Sequence, residues 1–191
     1  DKPGGYHPMV YCWRGGQRSG SFAAILQQIG WRVELLEGGY QTYRRLVSEN
    51  LYKTPLPCAV LVLDGNTGCA KTDLLLRLPS HGIQVIDLEG LANHRGSIFG
   101  ARVGGQPSQR AFESALAAAI SQLDPTRPVV VEAESSRIGN VTIPPILWEP
   151  MKAARRIAVA APLTARADYL TRTYVDLTDN PATLLALVQR M

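Results

Sequence analysis

The sequence predicts an α/β chain in two parts, a portion of an α/β domain over 1–51 and a parallel-sheet α/β domain over 58–191. Three observations predict it. Near-continuous apolar runs of strand length, such as CAVLVLDG (58–65) and PVVVEAE (128–134), read as strands buried on both faces. Between such runs, apolar residues recur at three- and four-residue steps, which is one face of a helix. The tract YKTPLP (52–57) has two prolines in six residues and marks a linker between the parts.

Taken in order, 9–12 is a short apolar strand. Over 19–29, Phe22, Ala23, Ile25, Leu26 and Ile29 share a helix face, and Gly30 stops the helix. WRVELL (31–36) alternates as a strand does, Gly38-Gly39 is a turn, and 40–51 is a helix with Tyr43, Leu46, Val47 and Leu51 on one side. Two strands cannot bury both faces of a sheet, so this first part is not a whole domain. After the linker come a strand at 58–65, a helix from 72 to 78 and a strand at 83–88. A long Ala-rich helix follows at 108–123, capped by Ser108 and stopped by Asp124-Pro125. Strands at 128–134 and 155–162 and helices at 164–174 and 181–191 complete the pattern. Buried strands alternating with helices imply a parallel sheet with helices on its faces.

Composition sets the limits. At 191 residues, 46% apolar and 19% charged, the chain is long enough for a sizeable core and has the make-up of a soluble protein. Its longest apolar runs, 59–63 and 157–162, fall far short of the roughly 20 residues of a membrane span. The net charge of +4 is a mild lean towards a polyanionic partner. Three cysteines with no CxxC pair exclude a disulfide framework and a zinc knuckle, and fit a reducing cytoplasm. The N-terminal DKPGGYHPM has neither a signal pattern nor an initiator Met, and it opens close to a reactive-looking loop, so a fragment is expected.

The motif that carries most chemistry is DGNTGCAKT, 64–72, set between an apolar strand and a helix. The pattern GxxxxGK[ST] curls backbone amides round a phosphate, with a Lys for the terminal phosphates and a hydroxyl beside it. Gly65, Asn66, Thr67, Gly68, Cys69, Ala70, Lys71 and Thr72 therefore form a candidate phosphate site, and the second part is P-loop NTPase-like. Ala70 stands where the pattern wants its last glycine, and its methyl intrudes modestly. Glu132 and Glu134 end a strand, and two readings stay open there: a carboxylate beside the loop to hold a metal or a water, or solvated acids. In DLEGLANHRGSIFG (87–100), Asp87, Glu89, His94 and Arg95 cluster past a strand end, where ligands bind in such sheets. His94 has no partner at metal-ligand spacing. Arg137, in SSRIGNVTIP (135–144), again follows a strand.

The other motif is YCWRGGQRSG, 11–20. Cys12 and Arg18 are separated by five residues, between a strand and a helix start. Helix N-termini and guanidinium groups depress a thiol pKa, so Arg14, Gly15, Gly16, Arg18 and Ser19 form a candidate anion cradle round a Cys12 thiolate. A buried structural cysteine is the competing reading for Cys12, and the one that suits Cys58 and Cys69.

YCWRGGQRSG resembles the active loop of a rhodanese-type domain, and LEGGYQTYRRLV resembles the segment that follows it there. LDGNTGCAKT, DLEGLANHRGSIFG, QPSQRAFE and ESSRIGNVTIP then follow in the order found in the bacterial tRNA 2-selenouridine synthase family. The resemblance implies a partial rhodanese-like domain fused to a P-loop domain. It further implies a cytoplasmic transferase that replaces sulfur by selenium in wobble 2-thiouridine of tRNA, through an S-geranylated uridine. Selenophosphate and geranyl diphosphate would be co-substrates with no tightly bound cofactor, and Mg2+ is left open. Cys12 would serve selenation, Arg14 and Arg18 would hold the selenium donor, and 65–72 would take the geranyl diphosphate. Arg44, Arg45, His94, Arg95 and Arg137 are candidate contacts to tRNA or phosphate. A P-loop ATP or GTP hydrolase with a rhodanese-like appendage and a non-catalytic RNA-binding module are the alternatives. Ala70 departs from the family's usual Gly, and the front of the rhodanese domain and the family's C-terminal region are expected to be missing.

Overall fold

A computed structural model describes residues 2, 5–97 and 100–174. The helix expected at 181–191 lies outside them. The chain divides into two units, Asp1–Lys53 and Thr54–Met191.

In the first unit the order is β1 (Met9–Val10), α1 (Gln17–Gln28), β2 (Glu34–Leu35) and α2 (Gly39–Lys53). β1 and β2 pair in parallel, with Met9 opposite Glu34 and Val10 opposite Leu35. Both strands are shorter than their sequence pattern suggests, because each finds one partner strand among the described residues. Ala23 of α1 and Val47 and Leu51 of α2 are buried. α2 runs on through Tyr52 and Lys53, so the expected linker begins as helix and its prolines come after the helix end.

The second unit is an α/β layer built on a four-stranded sheet. Its strands are β3 (Val60–Asp64), β4 (Gln84–Ile86), β5 (Val129–Glu132) and β8 (Arg155–Ala158), in the spatial order β4-β5-β3-β8. All three pairings are parallel, with Leu63 opposite both Glu132 and Ile157. The predicted α/β class with a parallel sheet is thus what the chain forms. α3 (Lys71–Arg77) leaves β3 and packs Leu75 against Leu63 and Val130 on one face of the sheet. α5 (Gln109–Ser121) lies beside β4 and buries Phe112 and Leu116 completely. Full burial of such a side chain stabilises by about 1.5–3 kcal/mol. Ser108 caps α5 by accepting the Ala111 N–H at 3.3 Å, as its sequence suggests.

Three elements differ from the sequence pattern. The segment read as a loop after β4 contains a helix, α4 (Leu88–Ala92), capped by Asp87, whose Oδ1 accepts the Gly90 N–H at 2.7 Å. A hairpin, β6 (Arg137–Ile138) and β7 (Val141–Thr142), occupies the stretch after β5. α6 (Pro145–Ala153) then packs on β3 and buries Leu147 and Met151. Proline at its first position loses no hydrogen bond, which is why the Pro-rich start does not prevent a helix. α7 (Leu163–Thr173) closes the described chain.

β3 connects through α3 to β4 on one side and β5 through α6 to β8 on the other, so connections diverge beside β3, which in parallel sheets is where ligands sit.

Candidate active site

The first unit holds the thiol. Cys12 Sγ accepts the Gly16 N–H at 3.3 Å, and the Ser19 hydroxyl lies 3.4 Å away. Ser19 is buried, and its single proton is shared between Sγ and the Gly16 carbonyl at 3.0 Å. These donors hold the thiol down at about 6, the Ser19 hydroxyl foremost and the Gly16 amide next. Arg14 adds its backbone N–H, while the Arg14 and Arg18 side chains stand exposed. The cradle is therefore made of amides and a hydroxyl. Its shape depends on two glycines in left-handed conformation. A Cβ on Gly15 would lie 2.6 Å from the Gly39 nitrogen, and one on Gly39 would strike the Cys12 carbonyl. The same carbonyl accepts the Tyr40 N–H at 3.0 Å, so the start of α2 fixes the cysteine loop.

The second unit holds the phosphate loop. Gly65 at φ +150° passes under the Val159 carbonyl, and Gly68 at φ +88° passes under Arg166 of α7. Cys69 is buried as a small filler. Ala70 takes the left-handed conformation at φ 56°, where an L-residue costs about 1–2 kcal/mol. The departure from glycine is thus met by backbone strain. Ala70→Gly should therefore stabilise the fold by roughly 0.5–1 kcal/mol, after the entropy that glycine adds to the unfolded chain. Urea denaturation midpoints check this, and an unchanged or lower midpoint would contradict it.

Lys71 Nζ donates to the Gly65 carbonyl at 2.6 Å and the Asn66 carbonyl at 3.4 Å. Thr72 Oγ1 donates to Glu89 Oε2 at 3.1 Å, and Arg102 Nη2 stands 3.7 Å from that same oxygen. The Glu89 backbone N–H donates to Glu132 Oε1 at 2.8 Å. Glu132 is 1% exposed, and its Oε2 has no hydrogen-bond partner among the described residues. Burial pushes Glu132 up to about 8 and Glu134 up to about 7, and raises Glu89 as well. Of the two readings open for the strand end, solvated acids does not hold for Glu132. Among the described residues no three His, Cys, Asp or Glu side chains stand together as a metal would need.

A carboxyl raised in the fold weakens the fold as it ionises. Glu132 keeps its proton to about pH 8 when folded, yet ionises near 4.3 in an unfolded chain. Stability should fall as pH rises through that window. Glu132→Gln keeps the acceptor for the Glu89 N–H and removes the titration. It should raise stability by on the order of 2–3 kcal/mol at pH 7 and by almost nothing below pH 4. Thermal melts across pH would show parallel slopes for the two proteins if this is wrong.

A cavity of about 460 Å³ opens over the loop, lined by Lys71, Thr72, Glu89, Glu134, Arg102 and Tyr169 among others. α7 forms one wall, with Arg166 Nε donating to the Thr67 carbonyl at 2.9 Å. The Arg95 guanidinium lies 4.8 Å over the Tyr174 ring, whose hydroxyl is 3.1 Å from Ser97 Oγ.

A family model described as the tRNA 2-selenouridine synthase AAA domain matches residues 58–185. The chain belongs to this family. A tRNA 2-selenouridine synthase of Alcanivorax borkumensis is 41% identical over 175 residues, covering 91% of this chain and 46% of that protein. One from Chromohalobacter salexigens is 41% identical over 172 residues, covering 89% and 46%, and one from Hydrogenovibrio crunogenus is 38% identical over 175. The chain thus spans about half the length of these tRNA 2-selenouridine synthases. No solved structure matches it. Among the described residues no helix is long and apolar enough to cross a membrane.

Besides the Cys12 loop, the expected site residues are spread over four places. Gly65, Thr67, Gly68, Cys69, Ala70, Lys71, Thr72 and Arg95 line the cavity, and Asn66 offers its carbonyl to Lys71. His94 stands apart from the cavity lining. Its Nδ1 accepts the Gly96 N–H at 3.1 Å, its ring abuts Gly100 and Gly139, and burial pushes its pKa down. Arg137 is exposed on β6 with its Nε on the Gly139 carbonyl at 2.9 Å, and Arg44 and Arg45 lie on α2. Sequence reasoning passed over Arg102, Tyr169 and Tyr174, which carry no motif and reach the site through a loop and α7.

Proposed function

We propose that this chain supplies both anion sites of a tRNA 2-selenouridine synthase acting in the cytoplasm. The Cys12 loop, read as part of a rhodanese-like domain, handles selenium delivered as selenophosphate. The phosphate loop anchors the diphosphate of geranyl diphosphate while the sulfur of wobble 2-thiouridine is alkylated, and the S-geranylated uridine is then selenated. The observation that carries this reading is the pairing in one chain of a thiolate cradle at Cys12 with a phosphate loop at Gly65–Thr72. Glu89 on the Thr72 hydroxyl and Glu134 near Lys71 stand beside the loop, where the S-alkylation is read to take place. The exposed Arg45 and Arg137 are suited to tRNA phosphates, a contact that weakens steeply with salt.

The test is ordered addition to a 2-thiouridine anticodon stem-loop, followed by mass spectrometry. Geranyl diphosphate alone should yield the S-geranylated base, and selenophosphate added next should convert it to the selenated base. Selenation with no need for geranyl diphosphate would overturn the reading.

A further inference from the structure

The cavity holds more acidic groups than phosphate binding needs. Glu134 follows β5, lines the cavity beside Lys71 and Thr72, and is hydrogen-bonded to Glu89. Gly96, at φ +66°, lies directly against its carboxyl group, so the loop after α4 holds the side chain in place. Glu89 is fixed in turn by Thr72 Oγ1 at 3.1 Å and by Arg102 at 3.7 Å. Beneath it the buried Glu132 accepts the Glu89 N–H at 2.8 Å.

The reaction read above releases a proton at a definite place. Sulfur attacks C1 of the allylic diphosphate, the S–C bond forms as the C–O bond breaks, and that electron pair leaves on diphosphate. The thiouracil ring stays neutral only if N3 gives up its proton and its electron pair becomes the N3=C2 bond. Nothing is oxidised or reduced. C1 sits one bond from a phosphate oxygen held by the loop, and the sulfur must approach to about 3–3.5 Å of it. N3 is two bonds from that sulfur, so its proton leaves beside the loop.

We propose that Glu134 is the catalytic base that takes the N3 proton during alkylation, and that Glu89 is the positioning residue that shares the proton with it. This rests on the reading under "Proposed function". The other cavity carboxyls are engaged, Asp87 in capping α4 and Asp73 with Tyr169 of α7. The charged and titratable groups that line the cavity with Glu134 are Cys69 of the loop, Lys71 and Asp73 of α3, Asp87 and Glu89 at α4, Arg95 and Arg102 after α4, and Tyr169 and Tyr174. Lys71 favours the ionised carboxyl, whereas burial and Glu89 favour the protonated one. Their balance sets Glu134 at about 7, where a base works well near neutral pH. The hydrogen bond from Glu134 to Glu89 is the arrangement that follows proton transfer.

The experiment uses the full chain, geranyl diphosphate and a 2-thiouridine stem-loop, with initial rates of S-geranylation from pH 5.5 to 9. Wild type should gain rate as pH rises through about 7 and then level off. Glu134→Gln should lose that rising limb and about 10²-fold in kcat, with KM for geranyl diphosphate unchanged or lower because a nearby negative charge is gone. Glu134→Asp should keep the limb at reduced rate. A Glu134→Gln protein with wild-type kcat and pH profile overturns the role of Glu134 and leaves the function standing. A raised KM at unchanged kcat also overturns it, as it would show a binding role. Wild type that never geranylates the stem-loop overturns the function, and this role falls with it.

Discussion

Lys71→Ala should cut affinity for geranyl diphosphate by about 10²-fold. The ammonium group lies on the Gly65 and Asn66 carbonyls at 2.6 and 3.4 Å, at the mouth of the loop, where it can turn from those carbonyls to phosphate oxygens. A hydrogen bond between ionised partners contributes about 1.5–3 kcal/mol, a factor of about 10 to somewhat over 10², and the high charge of a diphosphate takes the upper end. Alanine also removes the cation that favours the ionised Glu134, so the cavity loses positive charge that a diphosphate would meet. Lys71→Arg should not rescue, because a planar guanidinium does not fit where a compact ammonium reaches two carbonyls of one tight loop. Isothermal titration with geranyl diphosphate gives the affinity, and S-geranylation gives kcat/KM. Equal affinity in the alanine variant would remove the loop from donor binding.

Cys12→Ser should abolish selenation and leave S-geranylation at the wild-type rate, a loss of at least three orders of magnitude in one step only. Serine is close in size and can keep the Gly16 and Ser19 contacts, so loss of the step would report the missing sulfur and not a collapsed loop. The pH dependence has a fixed sign. Donors pull the thiol to about 6, so the thiolate predominates above that value and selenation should fall as pH drops through it. Ser19 is the largest cause of the lowering, so Ser19→Ala should move the falling limb to higher pH. Rates on a pre-geranylated stem-loop check both. Selenation by Cys12→Ser would end the assignment of Cys12.

What the sequence makes legible is set by periodicity and by local motifs. β3 and β5 are apolar on both faces, so a run such as VLVL or VVVE announces itself, as does the strand–loop–helix order round Lys71. α4 is five residues long with a glycine inside, too short to show a helical period. α6 carries Pro145 and Pro150, and two prolines in nine residues read locally as a break. In the structure Pro145 sits at the first turn, and burial of Ile146, Leu147 and Met151 outweighs the interruption. The carboxyl cluster is legible only in pieces: Glu132 and Glu134 stand out at one strand end and Glu89 past another, but nothing local says that they meet. Glu132 ends β5 and Glu89 comes soon after β4, and singly each looks like an ordinary strand-end acid. Their chemistry comes from the register of β4 beside β5, which sets them against each other and removes water. The Arg18 side chain looked like the thiolate's partner because a cation near a cysteine is easy to see in a string of letters. The Ser19 hydroxyl and backbone amides do that work, and the amides have no letter.

The parallel sheet has one more consequence, for how this chain can change over generations. Lys71, Glu89, Glu134 and Arg102 all hang from segments that follow the C-terminal ends of the parallel strands, while strands such as β3 and β5 are locked into the interior over their length. Each segment can be rewritten alone without disturbing the register that supports the others. The residues proposed for donor binding and for proton handling therefore sit on separate loops, and substitution can reach one loop at a time.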